Sequence, residues 1–149
     1  MLVSTHSVFD DRKTEIEFYY SVMVDIDDES RNVLQTIDNL RFFRIMKSNF
    51  LLMLYNLVEA TFTTGMLEIY EQVKQDGCSY ESLIDEIQNI WRDYSIREIY
   101  KPDSGLNVYT NRVKRIIEAI TQDTPLIMTK GMLNISGNLN AKQIKKICD

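Results

Sequence analysis

Residues 41–74 read RFFRIMKSNFLLMLYNLVEATFTTGMLEIYEQVK, the longest run of helical periodicity in the chain. Phe43, Met46, Phe50, Leu54, Leu57, Val58, Phe62, Met66, Leu67, Ile69 and Val73 recur mostly three or four apart. The run therefore predicts one long helix with a single broad apolar stripe. A lone helix cannot hide such a stripe, so other segments are expected to pack onto it. It should stop at Asp76-Gly77, because glycine takes the left-handed conformation at a helix end and Lys74 suits the negative end of the dipole.

On the N-terminal side, VFDDRKTEIEFYYSVMV (8–24) places Phe9, Ile16, Tyr19, Tyr20 and Met23 at helical spacing. Asp10 and Asp11 stand where they favour a helix N-terminus. The stretch DIDDESRNVLQTIDNL (25–40) is acidic, then weakly amphipathic through Val33, Leu34, Ile37 and Leu40, and reads as a connection of mixed character.

On the C-terminal side, SYESLIDEIQNIWRDYSI (79–96) predicts a third helix capped by Ser79 or Ser82. Leu83, Ile84, Ile87, Ile90 and Trp91 fall on one of its faces, with Glu81 and Asp85 in or near the first turn. Pro102, Asp103, Ser104 and Gly105 mark a loop within 97–107. Asn107 can cap a fourth helix carrying Val113, Ile116, Ile117 and Ile120, which Pro125 should stop. PLIMTKGMLNISGNL (125–139) lacks helical period and is expected to be an extended or looping segment that still buries Leu126, Ile127 and Leu133. NAKQIKKICD (140–149) looks like the opening turns of one more helix. No internal repeat or Ser/Gly linker divides the chain, so residues 1–149 are expected to form a single domain. The fold class these elements imply is all-α: an antiparallel helical bundle built around one long central helix.

Composition limits the functions available. With 149 residues, 44% apolar content and a net charge of -5, the chain has the make-up of one ordinary soluble domain, and its mild acidity argues against a surface broadly adapted to a phosphate backbone. Cys78 and Cys148 lie far apart and suggest neither a metal site nor a disulfide, only reduced thiols in a cytoplasm. The opening MLVSTHSVFDDRK lacks the apolar core of a secretion signal. A membrane span is not expected, because the apolar run from Phe50 to Tyr55 is short and is interrupted beyond its end by Asn56 and Glu59.

Few residues can carry chemistry. The one histidine, His6, is expected in a solvated N-terminal arm, which excludes a histidine-based core triad or metal site. The five glycines stand singly, so there is no phosphate loop, and Gly65, alone mid-helix, is expected to permit close helix packing. Asn56 and Glu59 sit three apart on one side of the most apolar helix. A carboxylate buried in a bundle needs a partner or a role, so they either bond to Tyr, Ser or Arg side chains of neighbouring helices or belong to a site. Arg41, Arg44 and Lys47 recur every third position, while Arg112, Lys114 and Arg115 crowd the fourth helix, joined by Lys142, Lys145 and Lys146 near the end. A solvated helix face is the commoner cause of such clusters; the alternative is a nucleic-acid track on which Tyr55, Tyr94, Tyr100 and Tyr109 stack on bases.

Three strings, FLLMLYNLVEATFTTGMLEIYEQVK (50–74), DDRKTEIEFYY (10–20) and above all ISGNLNAKQIKKIC (135–148), resemble a prokaryotic branch of the HEPN superfamily, the HEPN-like nucleases. The similarity covers most of the chain from about Asp10 onward. The resemblance implies an all-α HEPN bundle, usually a homodimer, acting without metal or other cofactor as an endoribonuclease in toxin–antitoxin or antiviral systems. An antitoxin protein and an RNA substrate are the partners it implies. In that family an Arg and a His on a late helix meet their counterparts across the dimer. The ribose 2'-hydroxyl attacks the adjacent phosphate, His handles protons and Arg stabilises developing charge. Asn56 and Glu59 match polar positions facing the active groove in relatives and are accessory candidates, and Arg41, Arg44, Lys47, Arg112 and Arg115 are candidate RNA contacts.

This sequence departs from the family pattern at its decisive point, because no arginine before Asp149 is followed by a histidine. The chain is expected to be either a C-terminally truncated form, lacking its last helix and inactive by itself, or a member that never had the pair. Outside the nuclease reading, the chain can be a non-catalytic helical dimerisation or protein-interaction module. A carrier for a lipid or small ligand between helices is a weaker third reading, since nothing in the sequence specifies a cavity.

Overall fold

Ser4 starts the first helix. Its hydroxyl accepts the Ser7 N–H at 3.3 Å and its carbonyl the Val8 N–H at 3.1 Å, the arrangement of a serine N-cap. In the computed structural model, which describes residues 4–27, 39–99 and 105–133, helix α1 therefore runs Thr5–Asp27, beginning ahead of the expected Val8. Asp10 and Asp11 fall beyond its first turn, and the hydroxyl does the work assigned to them. His6 is likewise not in an arm: it lies in the first turn of α1, exposed, with Nδ1 3.4 Å from Asp10 Oδ2.

Helix α2 spans Asn39–Gln75 without interruption, close to the expected limits. Contacts group the chain into two compact units, Met1–Gly65 and Met66–Asp149. The boundary falls inside α2.

In unit one, α1 runs antiparallel to α2. Thr5 lies beside Gly65, the Tyr20 ring tilts against Phe50 at 5.8 Å between centroids, and the Tyr19 hydroxyl donates to the Met46 carbonyl at 3.3 Å. Ile16 and Met23, seven apart on α1, and Met46 on α2 are the buried apolar residues described in this unit. A methyl added at Gly65 would meet Thr5 Oγ1 at 3.6 Å, ordinary contact, so the approach does not require the glycine.

In unit two, α2 ends as its sequence promised. Gly77 adopts φ 61°, its N–H reaches the Lys74 carbonyl at 3.3 Å, and the Cys78 N–H reaches that of Val73 at 3.0 Å. These two bonds form a Schellman cap, which satisfies carbonyls that the helix leaves open. The expected third helix is divided. Tyr80–Ser82 form a 3-10 turn, and α3 begins only at Asp85, running to Ile99. Gln88 joins the pieces, its Nε2 donating to the carbonyls of Tyr80 and Leu83, both at 2.9 Å. Ser79 is buried and makes no side-chain cap, while Ser82 Oγ bonds back to the Ser79 carbonyl.

Helix α4 spans Leu106–Thr121 with Gly105, not Asn107, at the cap position; the Gly105 carbonyl accepts the N–H groups of Val108 and Tyr109. The helix stops short of Pro125, where Asp123 takes φ 50°. From there the chain is extended up to a 3-10 turn at Lys130–Leu133. The Leu126 N–H bonds to the Cys78 carbonyl at 2.8 Å, tying this strap to the end of α2. Leu126 and Met128 are buried and Ile127 between them is 66% exposed, since alternate residues of an extended chain point opposite ways. The expectation held for Leu126 and Leu133 and failed for Ile127. It failed also for Ile84, which is exposed beside the start of α3, while Ile87 and Trp91 are buried and Trp91 meets Tyr80 edge-on at 5.5 Å.

All regular structure among the described residues is helical. The expected stripe on α2 is not single, however. Met46, Met66 and Val73 are buried, but Leu54, Val58 and Ile69 are exposed, and Tyr70, outside the expected stripe, is only 3% exposed. A helix apolar nearly all round carries no periodic signal that selects one face. The expected elements in 28–38 and 134–149, with Cys148, Lys142, Lys145 and Lys146, lie outside the described residues, as does Tyr100.

Candidate functional site

The polar pair expected at the centre of α2 is not a buried pair. Asn56 is exposed and Glu59 half-buried, and no described residue forms a hydrogen bond or ion pair with either. Three residues apart on one helix, they share a side without converging on a common partner. Neither the bonding to neighbouring helices nor an assembled carboxylate site is realised among the described residues.

The basic candidates fall in different units. In unit one, Arg41, Arg44 and Lys47 are exposed along the first turns of α2, and Lys47 Nζ lies over the Phe43 ring, 4.5 Å from its centroid. In unit two, Arg112 is half-buried and its Nη1 donates to the Glu98 carbonyl in the last turn of α3. That bond satisfies an open helix-end carbonyl with a cation, so Arg112 is engaged in joining α4 to α3. Arg115 is exposed without a described partner, while Lys114 pairs with Glu118 at 3.6 Å.

Two features are not apparent from the sequence. Tyr70, between Met66 and Val73 along α2, is buried, its hydroxyl has no hydrogen-bond partner among the described residues, and burial pushes its pKa up to about 12. Its spacing of four from Met66 and three from Val73 is the signal that could have found it. The second is exposed apolar surface on α2 in unit one. Ile45 and Leu52, seven apart, lie on one face; Leu51, Leu54 and Val58 lie on another, about 100° round the helix as Leu51 and Leu52 are. By length and composition α2 from Arg41 to Gln75 is apolar enough to cross a membrane, a test that core helices of soluble proteins also pass. The uninterrupted run from Phe50 to Tyr55 taken alone understates this.

What these features define is an all-α domain with extensive apolar helix surface and, among the described residues, no group of His, Cys, Asp and Glu able to hold a metal. The family model described as HEPN_MAE_28990/-like HEPN matches residues 3–149, and the chain belongs to this family of the HEPN superfamily. No curated protein and no solved structure matches it.

Proposed function

We propose that this HEPN domain is the helical scaffold of a metal-independent endoribonuclease of a toxin–antitoxin or antiviral system, that it works as a cytoplasmic homodimer, and that these 149 residues do not cleave RNA by themselves. Family membership supports the RNA-directed reading. The observation that carries the last part is the position of the single histidine: His6 precedes every arginine and sits exposed on α1, paired with Asp10. The Arg-then-His order needed to stabilise the phosphate's charge and move the 2'-hydroxyl proton is therefore missing here. Asn56 and Glu59 serve at most as accessory groups, and Arg41, Arg44, Lys47 and Arg115 as phosphate contacts.

A second reading, a non-catalytic dimerisation module, draws on the exposed α2 face bearing Ile45 and Leu52. Asn49 and Asn56 border it with neutral polar groups, and both are exposed. Such a face, neutral between Ile45 and Asn56 and carrying Arg41 only at its N-terminal end, suits a second copy across a two-fold axis, where like charges facing each other would repel. The experiment is incubation of the chain with labelled RNA in chelator, alongside light scattering. A homodimer that leaves RNA intact is expected. Cleavage by this chain would refute the assignment of the reactive pair to residues outside it. A native stop codon after Asp149 would favour the module over the nuclease, whereas an Arg with a His several residues later would favour the nuclease.

A further inference from the structure

The Ile45 and Leu52 face of α2 carries a polar pattern of its own. Ile45, Asn49, Leu52 and Asn56 follow one another at steps of four, three and four, the alternation with which two helices mesh, and all four are exposed. Every second position in the row is an asparagine. A carboxamide both donates and accepts, so it can bond to its own copy across a two-fold axis, where a lysine or a carboxylate would repel its own. Arg41 and Glu59 stand at the two ends of the row. Eighteen residues apart, they are separated by about five turns and so lie on the same side of α2. Arg41 is exposed, and Glu59 is half-buried with no bond to a described residue. A row that is neutral in the middle and oppositely charged at its ends is complementary to itself only when reversed.

We infer that two copies of α2 pack antiparallel along this row, with the two-fold axis near residue 50. The inference rests on the dimer face of the second reading and adds its direction and register. Reversal about that point sets Arg41 level with Glu59 of the second copy, and Ile45 beside Leu52 of the second copy. It leaves Asn49 only about 3 Å along the helix axis from its own copy, close enough for the two amides to bond each other. A parallel pair would instead set Arg41 against Arg41 and Glu59 against Glu59. Lipid is a poor occupant, because the two asparagines would enter hydrocarbon without partners. RNA is another, because the row holds no cation between its ends; Arg44 and Lys47 lie off it and remain for phosphate.

The test reads direction and register by cross-linking. In the full chain carrying Cys78→Ser and Cys148→Ser, Asn49→Cys and Asn56→Cys are each incubated with oxidised glutathione, beside sedimentation of the unaltered chain. Asn49→Cys should convert most of the protein to a disulfide-linked pair. Asn56→Cys should give none, because its copy lies about 18 Å away along the axis, past the roughly 7 Å between Cα atoms that a disulfide spans. Arg41→Glu should weaken the dimer about fivefold, and adding Glu59→Arg should restore it. Cross-linking at both positions would show a parallel pair, and at Asn56→Cys alone a different register. Cross-linking at neither, in a chain that sediments as a dimer, would move the contact to another face. Each of these overturns the arrangement while leaving a homodimer in place, as does a charge exchange that fails to restore it. A monomer in sedimentation would remove the dimer reading itself, and this inference with it.

Discussion

Among the described residues, unit two buries more apolar side chains than unit one, although both leave some in water. Among the described residues, unit two buries nine apolar side chains, Met66, Tyr70, Val73, Ile87, Trp91, Leu126, Met128, Met132 and Leu133, drawn from α2, α3, the extended strap and the 3-10 turn that ends it. Unit one buries three, Ile16, Met23 and Met46, and leaves Phe18, Ile45, Leu51 and Leu52 more than half exposed. The difference is one of layers: unit two brings α3, α4, two 3-10 turns and a strap tied to the end of α2 together, whereas the described part of unit one sets α1 against α2. An apolar helix covered on one side only keeps most of its surface in water.

The largest effect should come from the stronger core. Trp91→Ala removes the ring that meets Tyr80 edge-on and should cost about 3–5 kcal/mol in urea unfolding. A much smaller loss would mean that unit two is not the stable half. Ile45→Asp with Leu52→Asp should raise the homodimer dissociation constant about tenfold or more in sedimentation, while leaving unfolding little changed because both side chains are exposed. An unaltered dimer would move the contact elsewhere.

Alkaline pH offers a third probe. Tyr70 has its pKa raised from 10.0 to about 12 in the folded state, so the folded protein keeps a proton that the unfolded chain gives up. Stability is then fully present below pH 10 and declines as pH rises toward 12. Tyr70→Phe should flatten that decline, and below pH 10 it should be neutral or slightly stabilising, since the lost hydroxyl had no partner.

Two glycines give the smallest effects, with opposite signs. Gly77→Ala should cost about 1 kcal/mol, from the positive φ alone, because its Cβ would meet nothing nearer than Pro125 Cγ at 3.9 Å. Gly65→Ala should stabilise unit one by up to about 1 kcal/mol, because the helix interior favours alanine and Thr5 leaves ordinary room. A loss of stability at Gly65 would show that α1 and α2 are packed more tightly than their contacts indicate.

Local chemistry wrote much of this protein into its sequence. The length of α2, its stop at Gly77, the breaks near Gly105 and before Pro125, and the helical class all arise from residue periods and backbone preferences acting within a few positions. Where more than one residue can mark a helix start, the same signals misled: α1 starts at Ser4, a turn or more ahead of Asp10 and Asp11, and Gly105 displaced Asn107. The candidate site was less legible. Asn56 and Glu59 stand out because a carboxylate in an apolar run is costly when buried, yet burial belongs to packing, and packing left Asn56 in water and Glu59 half in it. Arg112 has the look of a free cation in the sequence, but α3 ends beside it. Which face of α2 is covered at each point, that Tyr70 goes inside while Ile69 stays out, and that Ile127 points away between Leu126 and Met128 were settled only by how segments distant in sequence meet. Hydrophobicity is a property each residue carries alone, whereas burial requires a neighbour to arrive.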